Sequence, residues 1–345
     1  MQEFFSNLQK ASEEISKTSK ILAKTSSSLR KFLISNSLIQ KNSLPNPLNL
    51  KIGAVDGSIL KKSLSSFDLL IFRSLGVIYE FKDSKISSII YYPSKFPSPQ
   101  IQTIFEPLAD NELSLFSNII RQISEISLAN ELLEKFDLDF LMLDGSIIPH
   151  YSFIEQSSDF LIEKWNEMIS SYGNFFKTIE KSKAEVFGIV KDSRGKRFLE
   201  FLDENFNFKF EQKFKDTFIL SQVLDFLEST TSFPYSSDFS NHPILKHFDS
   251  NFSSKIYSFY LQNTKNDFPL RIDFYKKSSN SASQISSLII FLTISQNYAI
   301  PSILLEADKR VRLQKSLIEK ISSSLLSKSK KINLFVEKRR KRKPF

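Results

Sequence analysis

The spacing of apolar residues changes character several times along the chain. From 1 to 36, Phe4, Leu8, Ala11 and Ile15, then Leu22, Leu29 and Leu33, recur at helical intervals. This predicts an N-terminal helical arm suited to packing or dimerisation. "NSLPNPLN" (42–49) breaks it with proline and asparagine. The signal then turns to runs rich in β-branched and aromatic residues: "LKIGAV" (50–55), "FDLLIFRSLGVIYEF" (67–81) and "KISSIIYY" (85–92). These read as three strands, with a tight turn at "KDS" (82–84) between the last two. "PSKFPSPQ" reads as a loop. A helical period over 111–136 precedes a fourth strand, "DLDFLML" (137–143), and a helix over 157–181 precedes a fifth, "AEVFGIV" (184–190). The polar, aromatic stretch 192–268 predicts an insertion of mixed structure, "LRIDFY" (270–275) another strand, and 282–296 and 301–327 two closing helices.

The order β-β-β-α-β-α-β-α is that of an RNase H-like α/β core. Its mixed five-stranded sheet is built from hairpins, extended by parallel strands and flanked by helices. In that arrangement the first and fourth strands are neighbours.

Composition narrows the chemistry. The chain has 345 residues, 41% hydrophobic and 25% charged, as a globular protein does. Its 34 phenylalanines reflect an AT-rich coding bias more than structural demand. The absence of cysteine excludes disulfides and Cys-ligated zinc or iron–sulfur sites. His242 and His247, in "NHPILKH", are not spaced as a helical ligand pair, and with His150 complete the histidines. No apolar signal-peptide core opens the chain, and "SSLIIFLTISQNYAI" is too short to span a bilayer. A cytoplasmic protein without a membrane partner is expected. The net charge of +9 is concentrated at the end: from Leu326 onward nine Lys or Arg face one acid, which leaves the rest at +1. Such a tail suits an anionic polymer, an acidic partner or solubility.

Two short stretches carry the candidate chemistry. "AVDGSI" (54–59) and "MLDGSI" (142–147) each place Asp-Gly-Ser after an apolar run. Asp-Gly alone is a common turn signal, because glycine takes positive φ without steric cost. With the first and fourth strands adjacent, however, Asp56 and Asp144 would project from neighbouring strand ends. The helix before the fourth strand offers Glu125 or Glu131 as a third acid. Helix phase favours Glu125, whose neighbours Leu128, Ala129 and Leu132 form an apolar face. Glu125 is also placed to pair with Arg121 one turn earlier. Clustered carboxylates suit hard cations such as Mn²⁺ or Mg²⁺, and two ions can clamp the attacking and leaving oxygens of a phosphodiester.

"VDGS", "LDGS", "VKDS" ending a later strand, and "PSILLEADKR" in a C-terminal helix resemble, in that order over roughly 50–315, the NurA nuclease family. The resemblance implies an RNase H-like fold, a homodimer, and DNA degradation with Mn²⁺ or Mg²⁺, two ions in all. It also implies partnership with a HerA-type hexameric helicase in DNA end resection. It assigns Asp56, Glu125 and Asp144 as metal ligands, joined by Asp308 in "EADKR", and Lys191 as a lysine that steadies phosphate charge. Tyr298 falls near, but two positions from, a family tyrosine; Ile300 stands at the expected place. The implied organisation is a helical arm and linker (1–49), a NurA-like nuclease domain (50–327, insertion about 192–268) and a basic tail (328–345). Arg271 would contact DNA or pair with Asp273, and Trp165 belongs to the core. Three other readings stay open: another RNase H-fold nuclease or recombinase, a non-catalytic DNA-binding adaptor with this fold, and an interaction protein whose tail binds an acidic partner.

Overall fold

The computed structural model describes residues 2–44, 49–64, 66–150, 157–209 and 214–329; the basic run of the tail lies outside them. The chain opens with helix α1 (Gln2–Ser35) and strand β1 (Ile39–Lys41). Strands β2 (Lys51–Ser63), β3 (Asp68–Lys82), β4 (Lys85–Tyr92) and β5 (Gln100–Ile104) follow, then helix α2 (Asp110–Lys135), β6 (Phe140–Asp144), α3 (Asp159–Lys181) and β7 (Glu185–Val190). Next come α4 (Arg197–Phe206), α5 (Asp216–Leu220), β8 (Glu228–Thr230), β9 (Phe233–Pro234), a 3₁₀ turn, α6 (Ser250–Ser253), β10 (Ile256–Leu261) and β11 (Leu270–Tyr275). Helices α7 (Ser281–Leu292), α8 (Ser302–Val311) and α9 (Lys315–Ser329) complete the described chain. Two compact units result, one from Asn46–Gly188, Phe239–Ser253 and Ser302–Phe345, the other from Met1–Pro45, Ile189–Asp238 and Ser254–Pro301.

In the first unit the strand order is β7-β6-β2-β3-β4, with β5 on the other half of β3. This is the mixed sheet of hairpin and parallel strands that the element order predicts. β2 pairs with β3 antiparallel along its whole length and with β6 in parallel only from Ile52 to Val55. β6 is buried from Phe140 to Leu143 and correspondingly apolar, as a strand covered on both faces must be. Helix α2 packs on β2, β3 and β6, and α8 covers the same strands.

Glycines let α2 approach closely. A Cβ at Gly76 on β3 would lie 2.7 Å from Leu132 Cδ1, and one at Gly57 on β2 would lie 2.5 Å from Glu125 Oε1. Leu132 and Glu125 are two turns apart on one helix face, so each settles into a notch in the sheet.

The second unit pairs β1 with β8, β8 with β10 and β10 with β11, all antiparallel, with β9 beside β10. Its core joins Leu22, Leu29 and Leu33 of α1 to Phe198, Leu202, Phe233 and Tyr260. Earlier in α1, Phe4, Leu8 and Ile15 are exposed. Asp216 is fully buried and accepts from the amides of Phe198 and Leu199, at the start of α4, and from the Tyr260 hydroxyl. Arg271 donates to Asp273 at 2.8 Å and lies over the Tyr235 ring, so of its two expected roles the structure shows the pairing.

Several element boundaries differ from the sequence expectation. β2 does not stop before Asp56 but continues to Ser63, because β3 supplies a partner throughout. The stretch after the "PSKFPSPQ" loop forms β5. The expected final helix is two, α8 and α9, broken after Val311; Arg73 donates to the carbonyls of Arg310, Val311 and Arg312 there. Trp165 is buried, and His150 and His247 are exposed. His242 is half-buried, its Nδ1 accepting from the Ile244 and Leu245 amides.

Candidate active site

The parallel register puts Val55 opposite Leu143. The next residue on each strand is an aspartate, Asp56 on β2 and Asp144 at the end of β6. The two Asp-Gly-Ser copies are therefore side by side, yet they are locally different. Gly145 has φ +125° and turns the chain out of β6, as an Asp-Gly turn should. Gly57 lies within a continuing strand and needs no positive φ; its missing side chain makes room for Glu125. Asp56 accordingly marks where the parallel ladder ends, not where its own strand ends. Asp56 is buried, and its Oδ1 accepts from the Gly57 amide at 2.7 Å. Ser58 Oγ accepts from the Leu313 amide, which ties the first copy to the break between α8 and α9.

Glu125 reaches this spot from α2, its side chain only 15% exposed. Arg121 Nη1 donates to its Oε1 at 2.6 Å. Burial pushes the Glu125 carboxyl up to about 7; Arg121 and the Gly57 amide oppose this, and the charge of Asp144 adds to it. Burial works against the Arg121 guanidinium, but Glu125, then Asp56 and Tyr172, outweigh it and raise its pKa. Tyr172 of α3 is buried beside them, and burial followed by the Glu125 charge drives its hydroxyl pKa upward. Gln122, also buried, accepts from the His150 amide. The structure thus gathers Asp56, Glu125 and Asp144 with Arg121, Gly57 and Tyr172.

Other expected residues fall elsewhere. Glu131 is half exposed, paired with Lys135 and accepting from Tyr92. Asp308 is exposed on α8. Lys191 is half-buried just beyond β7, and Tyr298 is 48% exposed; both belong to the second unit. Nothing in the sequence pattern distinguishes Tyr172 or Gln122 from core residues. Gly57 could have been found, since a glycine inside a strand marks close approach of another group.

The NurA domain matches residues 50–313. The chain belongs to the NurA family. The crystal structure of the NurA nuclease from Sulfolobus solfataricus is 19% identical, with a TM-score of 0.65, over 95% of this chain and 98% of that one. A crystal structure of NurA with manganese is 13% identical, with a TM-score of 0.56, over 92% and 98%. No curated protein matches the chain. Among the described residues of this NurA-family chain, no helix is long and apolar enough to cross a membrane.

The donor set can be tested for fit to a divalent ion. Asp56, Glu125 and Asp144 offer only carboxylate oxygens, which suits Mn²⁺ or Mg²⁺. Among the described residues, no group of three or more His, Cys, Asp or Glu side chains stands ready to hold an ion. Glu125 is committed to Arg121 instead. The acids fit the ion by kind and by backbone position, while Glu125 gives its Oε1 to Arg121.

Two predictions follow the geometry of Glu125. Its ordinary pKa is 4.5 and its folded value is about 7, so the folded chain holds this proton more tightly than the unfolded one. That contribution to stability is complete below pH 4.5 and is lost as pH rises through 7, by at most about 3 kcal/mol. Melting in EDTA should therefore show wild type losing stability relative to Glu125→Gln between those pH values. A pH-independent difference between the two would refute the burial argument.

The notch gives the second prediction. Gly57→Ala should destabilise the chain by about 1–3 kcal/mol, because its methyl meets the Glu125 carboxylate. In Glu125→Ala the same substitution should cost far less, a coupling that a double-mutant cycle measures. Strict additivity would show that Glu125 does not occupy the notch.

Proposed function

We propose that this chain is a divalent-metal-dependent deoxyribonuclease that hydrolyses phosphodiester bonds. One observation carries the reading: in a NurA-family chain, two aspartates directly follow the paired residues of adjacent parallel strands, with a half-buried glutamate brought against Gly57 beside them. Three acids so placed repel one another and are costly to bury without a cation.

Asp56, Glu125 and Asp144 would hold the ion, with Asp308 a further candidate on α8. Bound there, Mn²⁺ or Mg²⁺ supplies Lewis acidity toward phosphate oxygens and a water that ionises near neutral pH; two ions suit an in-line displacement. The Gly57 amide keeps Asp56 oriented, and the Gly57 notch fixes where Glu125 can lie. Lys191 is proposed to meet the phosphate charge. The basic tail is proposed to contact the DNA backbone without reading sequence. The family resemblance supports two finer parts of the proposal: action as a homodimer at single- and double-stranded ends, and work with a HerA-type hexameric helicase in end resection, within the cytoplasm.

The test is incubation of the full chain with end-labelled single- and double-stranded DNA in Mn²⁺, Mg²⁺ or EDTA. Cleavage should occur with a metal and stop in EDTA. DNA binding without cleavage under every metal would favour the adaptor reading. Within that assay, Glu125→Gln should lower metal-dependent cleavage at least about a hundredfold, and Glu131→Gln should leave it near wild type. The reverse pattern would move the helical ligand to Glu131.

A further inference from the structure

We propose that Arg121 is the resident counter-cation of the acid cluster, and that a divalent ion enters by exchange, taking Glu125 from the guanidinium. The inference rests on the reading of Asp56, Glu125 and Asp144 as metal ligands and adds a step to it.

The Arg121–Glu125 pair has the i,i+4 spacing of an ordinary surface contact, but its surroundings are not those of a surface. The Glu131–Lys135 pair on the same helix has side chains 45% and 50% exposed. Those of Glu125 and Arg121 are 15% and 28% exposed. Partial desolvation strengthens the attraction between the two and also the repulsion among neighbouring acids.

The position of Arg121 matters as much as its burial. It feels Asp56 and Tyr172 as well as Glu125, while Glu125 feels Asp144. The guanidinium is thus a positive charge bonded to Glu125 and felt by Asp56, and the acids are not arranged around an ion. An arginine cannot leave such a place by losing its proton. It can be replaced only by another cation, and a divalent ion brings more charge to the same carboxylate. The exchange breaks the Nη1 hydrogen bond and forms an oxygen–metal contact.

The device has two expected effects. Without metal it keeps the clustered acids tolerable in the folded chain. With metal present it sets an affinity threshold, since each ion must compete with a tethered cation. Arg121 is on this account a positioning residue that acts through Glu125.

The test measures Mn²⁺ binding by calorimetry at pH 8 on the full chain as wild type, Arg121→Met, Arg121→Lys and Asp144→Asn, with melting in EDTA and in saturating Mn²⁺. Arg121→Met should bind Mn²⁺ about tenfold tighter or more, because the competitor and its repulsion are gone. It should melt lower than wild type in EDTA and gain more from Mn²⁺. Arg121→Lys should fall between the two, since an ammonium lacks the planar fork. If Arg121→Met fails to fold in EDTA, Arg121→Lys decides: affinity equal to wild type overturns the exchange. Unchanged or weaker Mn²⁺ binding by Arg121→Met, with Asp144→Asn impaired, likewise overturns it and leaves the metal reading standing. Asp144→Asn binding Mn²⁺ as wild type does would overturn the metal reading and the exchange together.

Discussion

Asp144→Asn is expected to reduce metal-dependent DNA cleavage roughly a thousandfold while the protein stays folded, a loss on the scale of one transition-state electrostatic contact. Asp144 closes β6 beside Asp56, and its charge already bears on Glu125. The amide keeps the shape of the side chain and removes the charge that an ion requires. Removal of one of three clustered like charges also relieves repulsion, so the melting temperature in EDTA should stay the same or rise. Asp56→Asn should behave alike, since an amide oxygen can still accept from the Gly57 amide. DNA affinity in EDTA should be retained in both. Cleavage at wild-type rate by either variant would remove that aspartate from the site, and a collapse of stability would make it a structural residue.

Gly188→Ala should be the more damaging change to the fold. A Cβ there would drive into the carbonyl oxygen of Gly145, with the Gly145 carbonyl carbon and the Ile147 amide nitrogen both at 3.0 Å. These are backbone atoms of the turn that follows Asp144, and no rotamer can relieve the clash. The expected cost is about 3 kcal/mol, at the upper end of overpacking. The turn must move, so cleavage should fall with it even in the fraction that folds. Denaturant unfolding alongside an activity assay checks this. A variant with wild-type midpoint and rate would show that β7 does not press on the turn. Gly173→Ala is the matching control, because nothing lies within 4 Å of its Cβ position.

The strands β2, β3, β4, β6 and β7 were legible because each contains a run rich in apolar, β-branched and aromatic residues, which the short β5, "QIQTI", lacks. The burial of "FLML" over 140–143 on both faces follows directly from that pattern. The inward face of α2 was also legible: Leu128, Ala129 and Leu132 are buried. Where the reading missed, a partner distant in sequence had changed the meaning of a residue. Gly57 carries the same "DGS" letters as Gly145, but β3 continues opposite it and holds it in the strand. The spacing of Arg121 and Glu125 predicts their pairing but not its partial burial, because helical spacing says nothing about the strands lying beneath the helix. The break between α8 and α9 depends on Arg73, more than two hundred residues earlier, whose donors meet the carbonyls at that point. The described residues of the region 192–268 form three short strands and three short helices besides the 3₁₀ turn, too brief for periodicity to define.

The notch at Gly57 ties two positions into one unit of inheritance. While a glutamate at 125 has to lie over β2, any side chain at 57 competes with it for the same space. A lineage that no longer needed that glutamate would release both constraints together, and drift would fill the notch as readily as it would alter the acid. Among relatives of this chain, a residue other than glycine at the position of Gly57 should therefore accompany loss of the helical glutamate, and its presence would mark, from sequence alone, a copy that has given up the chemistry and kept the fold.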